Sequence, residues 1–275
     1  MSVVPVPPLS PAGPVRSAVR VVAAGFRAAR AARPAERLSY ATGSALVASG
    51  LFHLLVFLVA GGPWDGPVSW RKPFTFGVSF GLTLIAIAWV TSYVEIAGRT
   101  RAVLLVLFAA DCVLEVAGIT VQAWRHEPSH FNMTTPADTA IALSLAAGGA
   151  LLVVVLTWFA VAAFRHTPAG PPEMRPALRA GFAMLLVGLA SGAVMIARGV
   201  ADTRGGGQEA AYHSTGPLKP LHAVTLHAVL VLPALAWLLA RTSWRERTAH
   251  RVMLGAGWLY VAAAVGALGW GLATA

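Results

Sequence analysis

Asp111 and Glu115 stand four residues apart within an apolar run that ends at Trp124. On a helix, residues four apart share a face, and Gln122 continues that face two turns on. A carboxyl group in hydrocarbon costs roughly 3 kcal/mol even on a lenient insertion scale, so such acids mark proton relays, ion paths or ligand sets. If the chain is a catalyst, Glu115 or Asp111 is its expected proton acceptor. Three further polar residues fall at comparable depth. At 1.5 Å of rise per residue, His53, Glu115 and His227 each come out roughly 12–14 Å below the same end of their apolar runs. Ser79 and Ser191 come out at about 10 Å. Two imidazoles and a carboxylate form a ligand set suited to a transition metal such as zinc or iron, so His53, His227 and Glu115 are the candidate metal ligands. Haem b is the second cofactor option, with His53 opposite His227 or His222. The spacing itself is no metal motif. There is no HExxH, and His222 and His227 are five apart, about 140° round a helix.

Nearer the same end lie groups suited to holding a small polar ligand. The segment after Trp124 carries Arg125, His126, Glu127, His130 and Asn132. Arg125, His130 and Asn132 together suit an anionic or carbonyl group. His222 and Arg71 complete the candidate substrate-binding set, with Asp65, Trp70, Lys72 and His213 nearby. Six of the eight histidines fall in this half of the chain's apolar runs; His166 and His250 sit beside loop arginines on the other side.

These residues need a scaffold, and composition supplies its class. Of 275 residues 57% are hydrophobic and 12% charged, against about 25% charged in an ordinary soluble domain. Apolar runs of about 20 residues recur, which is the signature of an all-α polytopic membrane protein. Seven spans are expected, near 40–61, 73–95, 101–124, 138–164, 177–198, 219–240 and 250–273, joined by mostly short loops. The basic residues divide 15 against 6 between the two sides of that bundle. The positive-inside rule then puts the N-terminus in the cytoplasm and the C-terminus outside, in the manner of a bacterial inner-membrane protein. The formal charge of +10 is thus accounted for by loops facing an anionic leaflet, and nucleic acid is not an expected partner. Residues 1–38 read as a cytoplasmic tail, Pro-rich and disordered at first and then arginine-rich, with a helix along the membrane surface as one form of its second half. Cys112 is the sole cysteine, which excludes an intramolecular disulfide and a four-thiolate metal site. Gly181, Gly188 and Gly192 recur at helical spacing and permit close helix approach. Pro233 interrupts the sixth run and predicts a kink just below His227.

Three functional classes fit these residues. One is a membrane protein with an outward-opening His/carboxylate pocket, holding a metal or haem. Another is a proton-coupled carrier of a small solute using the same acids. The third is a structural or assembly subunit whose polar groups satisfy one another. A retinal protein is disfavoured, because the seventh span has no lysine, and no G-x-S-x-G elbow points to a serine hydrolase. Substrate and oligomeric state do not follow from the sequence.

Three stretches resemble a family of bacterial, largely actinobacterial, multi-pass membrane proteins without an established activity. They are Trp70-Arg71-Lys72-Pro73-Phe74, the segment from Gln122 through Asn132, and His222-Ala-Val-Thr-Leu-His227 with Leu232-Pro233. The resemblance spans roughly residues 40–240. It implies architecture, and it brings the segment after Trp124 together with the sixth span as joint site candidates. A fainter similarity to seven-span metal hydrolases of the progestin-receptor and ceramidase kind would require paired histidines in the last span, which has none.

Overall fold

The computed structural model describes residues 32–274, apart from the side chains of 204–210, 213 and 214. It is all-α, with no strand among the described residues. The first three helices are α1 (Pro34–Ala60), α2 (Arg71–Val90, continued by a 3-10 turn over Thr91–Tyr93) and α3 (Gly98–Trp124). Then come α4 (Pro136–Arg165), α5 (Met174–Ser214), a 3-10 turn (Gly216–Leu218), α6 (Lys219–Leu226), α7 (Ala228–Leu239) and α8 (Glu246–Ala273). These make seven helical segments long and apolar enough to cross a membrane, with α6 and α7 forming the two halves of the sixth. The chain is therefore a seven-helix bundle of the multi-pass membrane type.

Two boundaries differ from expectation. The first span starts at Pro34, so residues 34–38 belong to helix and not to a tail. Proline at the first position presets the helical φ, and the Arg33 N–H donates to the Glu36 carboxylate three residues on (3.1 Å), so the start is fixed locally. The expectations for residues 1–31 lie outside the described residues. The sixth span breaks at His227, further from Pro233 than the sequence implies.

Absent side chains set the tightest contacts. A Cβ on Gly77 would come within 2.8 Å of the Gly50 Cα, so α1 and α2 approach backbone to backbone. On α5, Gly181 lies against the backbone at Val229, while Gly188 and Gly192 make room for the side chains of Leu226 and His222. The apolar core lies where α2, α3, α4, α5 and α7 meet, around Phe108, Phe159, Phe182, Leu185 and Leu232. The outward faces carry exposed Leu51, Phe52, Leu55, Leu107, Val154, Trp258 and Leu259. Such a belt is unfavourable in water and suits a lipid bilayer.

Two rims follow from the topology. One carries the starts of α1, α3, α5 and α8, here the N-terminal rim. The other carries the α1–α2 and α3–α4 loops and the start of α6. The candidate site residues belong to the opposite rim and the layer below it.

Candidate functional site

His53 is buried on α1, and both of its ring nitrogens are engaged. Nδ1 lies 2.7 Å from the Ser49 carbonyl, and Nε2 accepts from the Trp124 indole N–H at 3.1 Å. A carbonyl only accepts, so the proton sits on Nδ1 and the Nε2 lone pair is used by Trp124. Trp70 stacks on the imidazole at 6.1 Å between centroids, and Trp70 and Trp124 meet edge to face at 5.1 Å. His53 therefore closes an aromatic cluster that ties α1 to the starts and ends of its neighbours.

His227, at the break in the sixth span, is satisfied in the same way. Nδ1 lies 2.8 Å from the Ala223 carbonyl one turn back, and Ser79 of α2 stands 3.1 Å from Nε2. His222 donates from Nδ1 to the Gly188 carbonyl at 2.8 Å, with the Ser191 hydroxyl at 3.2 Å. Ser79 is thus paired with His227, and Ser191 with His222, which the sequence puts nearer the mouth.

The acids point elsewhere. Asp111 and Glu115 are both buried and face α4 at Gly148. A Cβ on Gly148 would lie 2.6 Å from Asp111 Oδ1 and 2.7 Å from Glu115 Oε1, so the two oxygens are no further apart than the sum of those distances. Among the described residues neither acid has a salt bridge, and Asp111 Oδ2 has no hydrogen-bond partner.

The proposed metal set therefore does not assemble. His53, His227 and Glu115 belong to three separate contact groups, and no three His, Cys, Asp or Glu side chains converge among the described residues. For haem or metal the obstacle is chemical as well. Ligation requires an imidazole lone pair, and those of His53 and His227 already accept protein hydrogen bonds.

Above the acids, Arg125 and Asn132 are committed to the α3–α4 loop. Asp138, in the first turn of α4, is the hub. Its Oδ1 accepts from Arg125 Nη1 (2.7 Å) and Gln122 Nε2 (2.9 Å), and its Oδ2 from the Thr135 hydroxyl (2.6 Å). Asn132 is fully buried; its Oδ1 accepts from the Thr134 N–H and hydroxyl, and its Nδ2 donates to Glu127 at 3.2 Å. Phe131 holds a positive φ of 60°, a conformation a bulky residue avoids, and its ring lies where a side chain on Gly199 would be. The loop is thereby pinned to α5. Asp138 is the residue that sequence reasoning missed. Its signal was present, since Thr135-Pro136-Ala-Asp138 places a capping threonine three residues before an acid.

His130 and Arg71 lie at the mouth. The half-buried His130 ring approaches Phe76 of α2 (5.9 Å) and is pushed down to about 4 by burial and then by the nearby Lys72 charge. Its Nδ1 lies 2.8 Å from the Ser129 hydroxyl. Arg71 donates to the Tyr212 hydroxyl (3.2 Å) and the Trp64 carbonyl (3.3 Å), and stands 3.3 Å from exposed Asp65. Lys219 lies over the Tyr212 ring at 3.9 Å, and Lys72 at 5.9 Å. Among the described residues three cations and one acid thus gather around Tyr212, joining the α1–α2 loop to the end of α5 and the start of α6. The His213 side chain lies outside the described residues. No protein-family model, curated protein or solved structure matches this chain.

Proposed function

We propose that the protein is a proton-coupled carrier of a small anionic solute, with Asp111 and Glu115 as its proton site. The observation that carries this reading is the acid pair itself. Two buried carboxyls share one niche against Gly148, unpaired with any cation among the described residues, and one oxygen lacks a hydrogen-bond partner. Two neighbouring negative charges without a counter-ion are strongly unfavourable in a low-dielectric interior, and one proton shared between them relieves this. A structural pair would be expected to find compensating donors, as Asp138 does. The mouth supports the anionic class. Among the described residues around Tyr212, Arg71, Lys72 and Lys219 outnumber Asp65, and a cationic entrance concentrates anions. Gln122 lies on the same face of α3 as the acids, toward that entrance.

The test uses proteoliposomes loaded with a pH-sensitive dye and offered small carboxylate, phosphate and sulfonate anions from outside. A member of this panel should drive proton uptake. Asp111→Asn and Glu115→Gln should each reduce that uptake at least tenfold while leaving the bundle folded. Uptake by neither the parent protein nor the variants, or uptake unchanged in both variants, sinks the reading.

A further inference from the structure

Along the α3–α4 seam the acid pair lies between two unequal apolar barriers. Toward the N-terminal rim stand Leu105 and Phe108 of α3 with Val155, Leu156 and Phe159 of α4, all buried in the core. The next charged residue of α3 on that side is Arg101, about 15 Å of helical rise from Asp111. Toward the mouth the separation is shorter. Gln122 donates to Asp138 Oδ1 at 2.9 Å, and the solvent-exposed Arg125 donates to the same oxygen at 2.7 Å. This polar hub ends two turns of α3, about 10 Å, from Glu115. The stretch between carries Gly118 and the buried Ile119. Leu145 and Ile141 of α4 lie over Gly118, where a Cβ would come within 3.0 Å of Leu145 Cδ2 and 3.5 Å of Ile141 Cγ2. A hydrocarbon side chain neither donates nor accepts a proton, so Leu145 in this position separates the hub from Glu115.

We propose that Leu145 is an outer gate on the acid pair: moved off Gly118, it opens a proton path from the Asp138–Gln122 hub to Glu115. The inference rests on the proton role proposed for Asp111 and Glu115. Two features favour Leu145 as the moving part. Gly118 has no side chain to interlock with it, so a change of leucine rotamer clears the seam without separating the helices. Gln122 and Glu115 also share one face of α3, so the cleared stretch leads directly from one to the other. The deeper apolar layers around Phe108 and Phe159 stay in place, and the pair therefore exchanges protons with the mouth and not with the N-terminal rim.

The full-length protein in detergent at neutral pH would be transferred to heavy water, and the shift of its carboxylic-acid C=O stretch followed by infrared spectroscopy. Loss of the band in Asp111→Asn or Glu115→Gln assigns it to the pair. Leu145→Ala should speed the exchange about tenfold or more, because exchange through local opening follows the free energy of opening, and truncating a buried leucine lowers it. Leu156→Ala is the matched control. Leu156, like Leu145, is 3% exposed, and it lies three turns further on the same face of α4, beyond the acids. It should leave the rate as in the parent. Leu145→Val should accelerate exchange less, and it carries the test if the unfolding midpoint shows the alanine variant to be unfolded. A band that exchanges at once in the parent, or at the parent's rate in the folded Leu145 variants, overturns the gate and leaves the proton reading standing. Equal acceleration by Leu156→Ala overturns it as well, since access would then not be through the mouth. A pair with no such band at all overturns the proton reading, and the gate falls with it.

Discussion

Gly148 is the residue on which the acid pair depends most directly. A methyl group there would overlap Asp111 Oδ1 and Glu115 Oε1, both on buried side chains. Gly148→Ala should therefore destabilise the protein by about 1–3 kcal/mol, the usual cost of overpacking, and displace the carboxyls. Gly149→Ala is the internal comparison, because its Cβ meets Ile196 Cδ1 at an ordinary 3.6 Å. A thermal-unfolding midpoint lowered in the first variant and unchanged in the second checks this. His130 gives a pH dependence of known sign. Its folded-state pKa is depressed to about 4, below the ordinary imidazole value of about 6.5. Between those values the unfolded chain binds the proton and the folded one does not. His130 therefore favours folding fully above about pH 6.5, loses that contribution as pH falls toward 4, and changes nothing further below. The pH dependence of the unfolding midpoint should be flatter over that window in His130→Gln. An unchanged slope would contradict the assignment.

At the scale of elements, the buried Glu36–Arg101 pair links the starts of α1 and α3, and Arg101 extends the link to the end of α2 through Ala88 and Thr91. Removing one partner leaves the other charge buried and uncompensated. Glu36→Leu should cost on the order of 3–5 kcal/mol, whereas Glu36→Leu with Arg101→Met should recover much of the loss. Chemical denaturation in mixed micelles would measure both, and equal losses in the two variants would refute a paired role. The opposite ends of these helices are joined by another kind of contact, the His53–Trp70–Trp124 cluster. Aromatic side chains at the ends of spans are ordinary membrane-interface residues, so their presence was readable from sequence. That Trp124 donates to His53 was not. The contact needs the α3 end to lie over α1, which local periodicity does not encode.

For the whole molecule, the apolar belt and the charge division make a topological prediction. The 15 basic residues on the N-terminal side should be cytoplasmic and the 6 on the other side external. Cys112 is buried, so the parent chain has little background reaction with a thiol reagent. In intact cells a membrane-impermeant maleimide should label Thr274→Cys and spare Ser10→Cys; the reverse pattern would invert the bundle.

The sequence by itself determined the class of fold, the number of spans and the positions of their polar interruptions. These rest on local quantities: run length, the helical period and the charge of loops. It also placed Asp111 and Glu115 on one face, because helix geometry alone puts residues four apart together. Which side chains meet across helices was decided only by the tertiary structure. Run length and helical rise put His53, Glu115 and His227 at one expected depth, yet their side chains meet different neighbours: Trp124, Gly148 and Ser79. Distance along a run leaves the rotation of each helix about its axis open, and close approaches such as Gly50–Gly77 bring particular faces together.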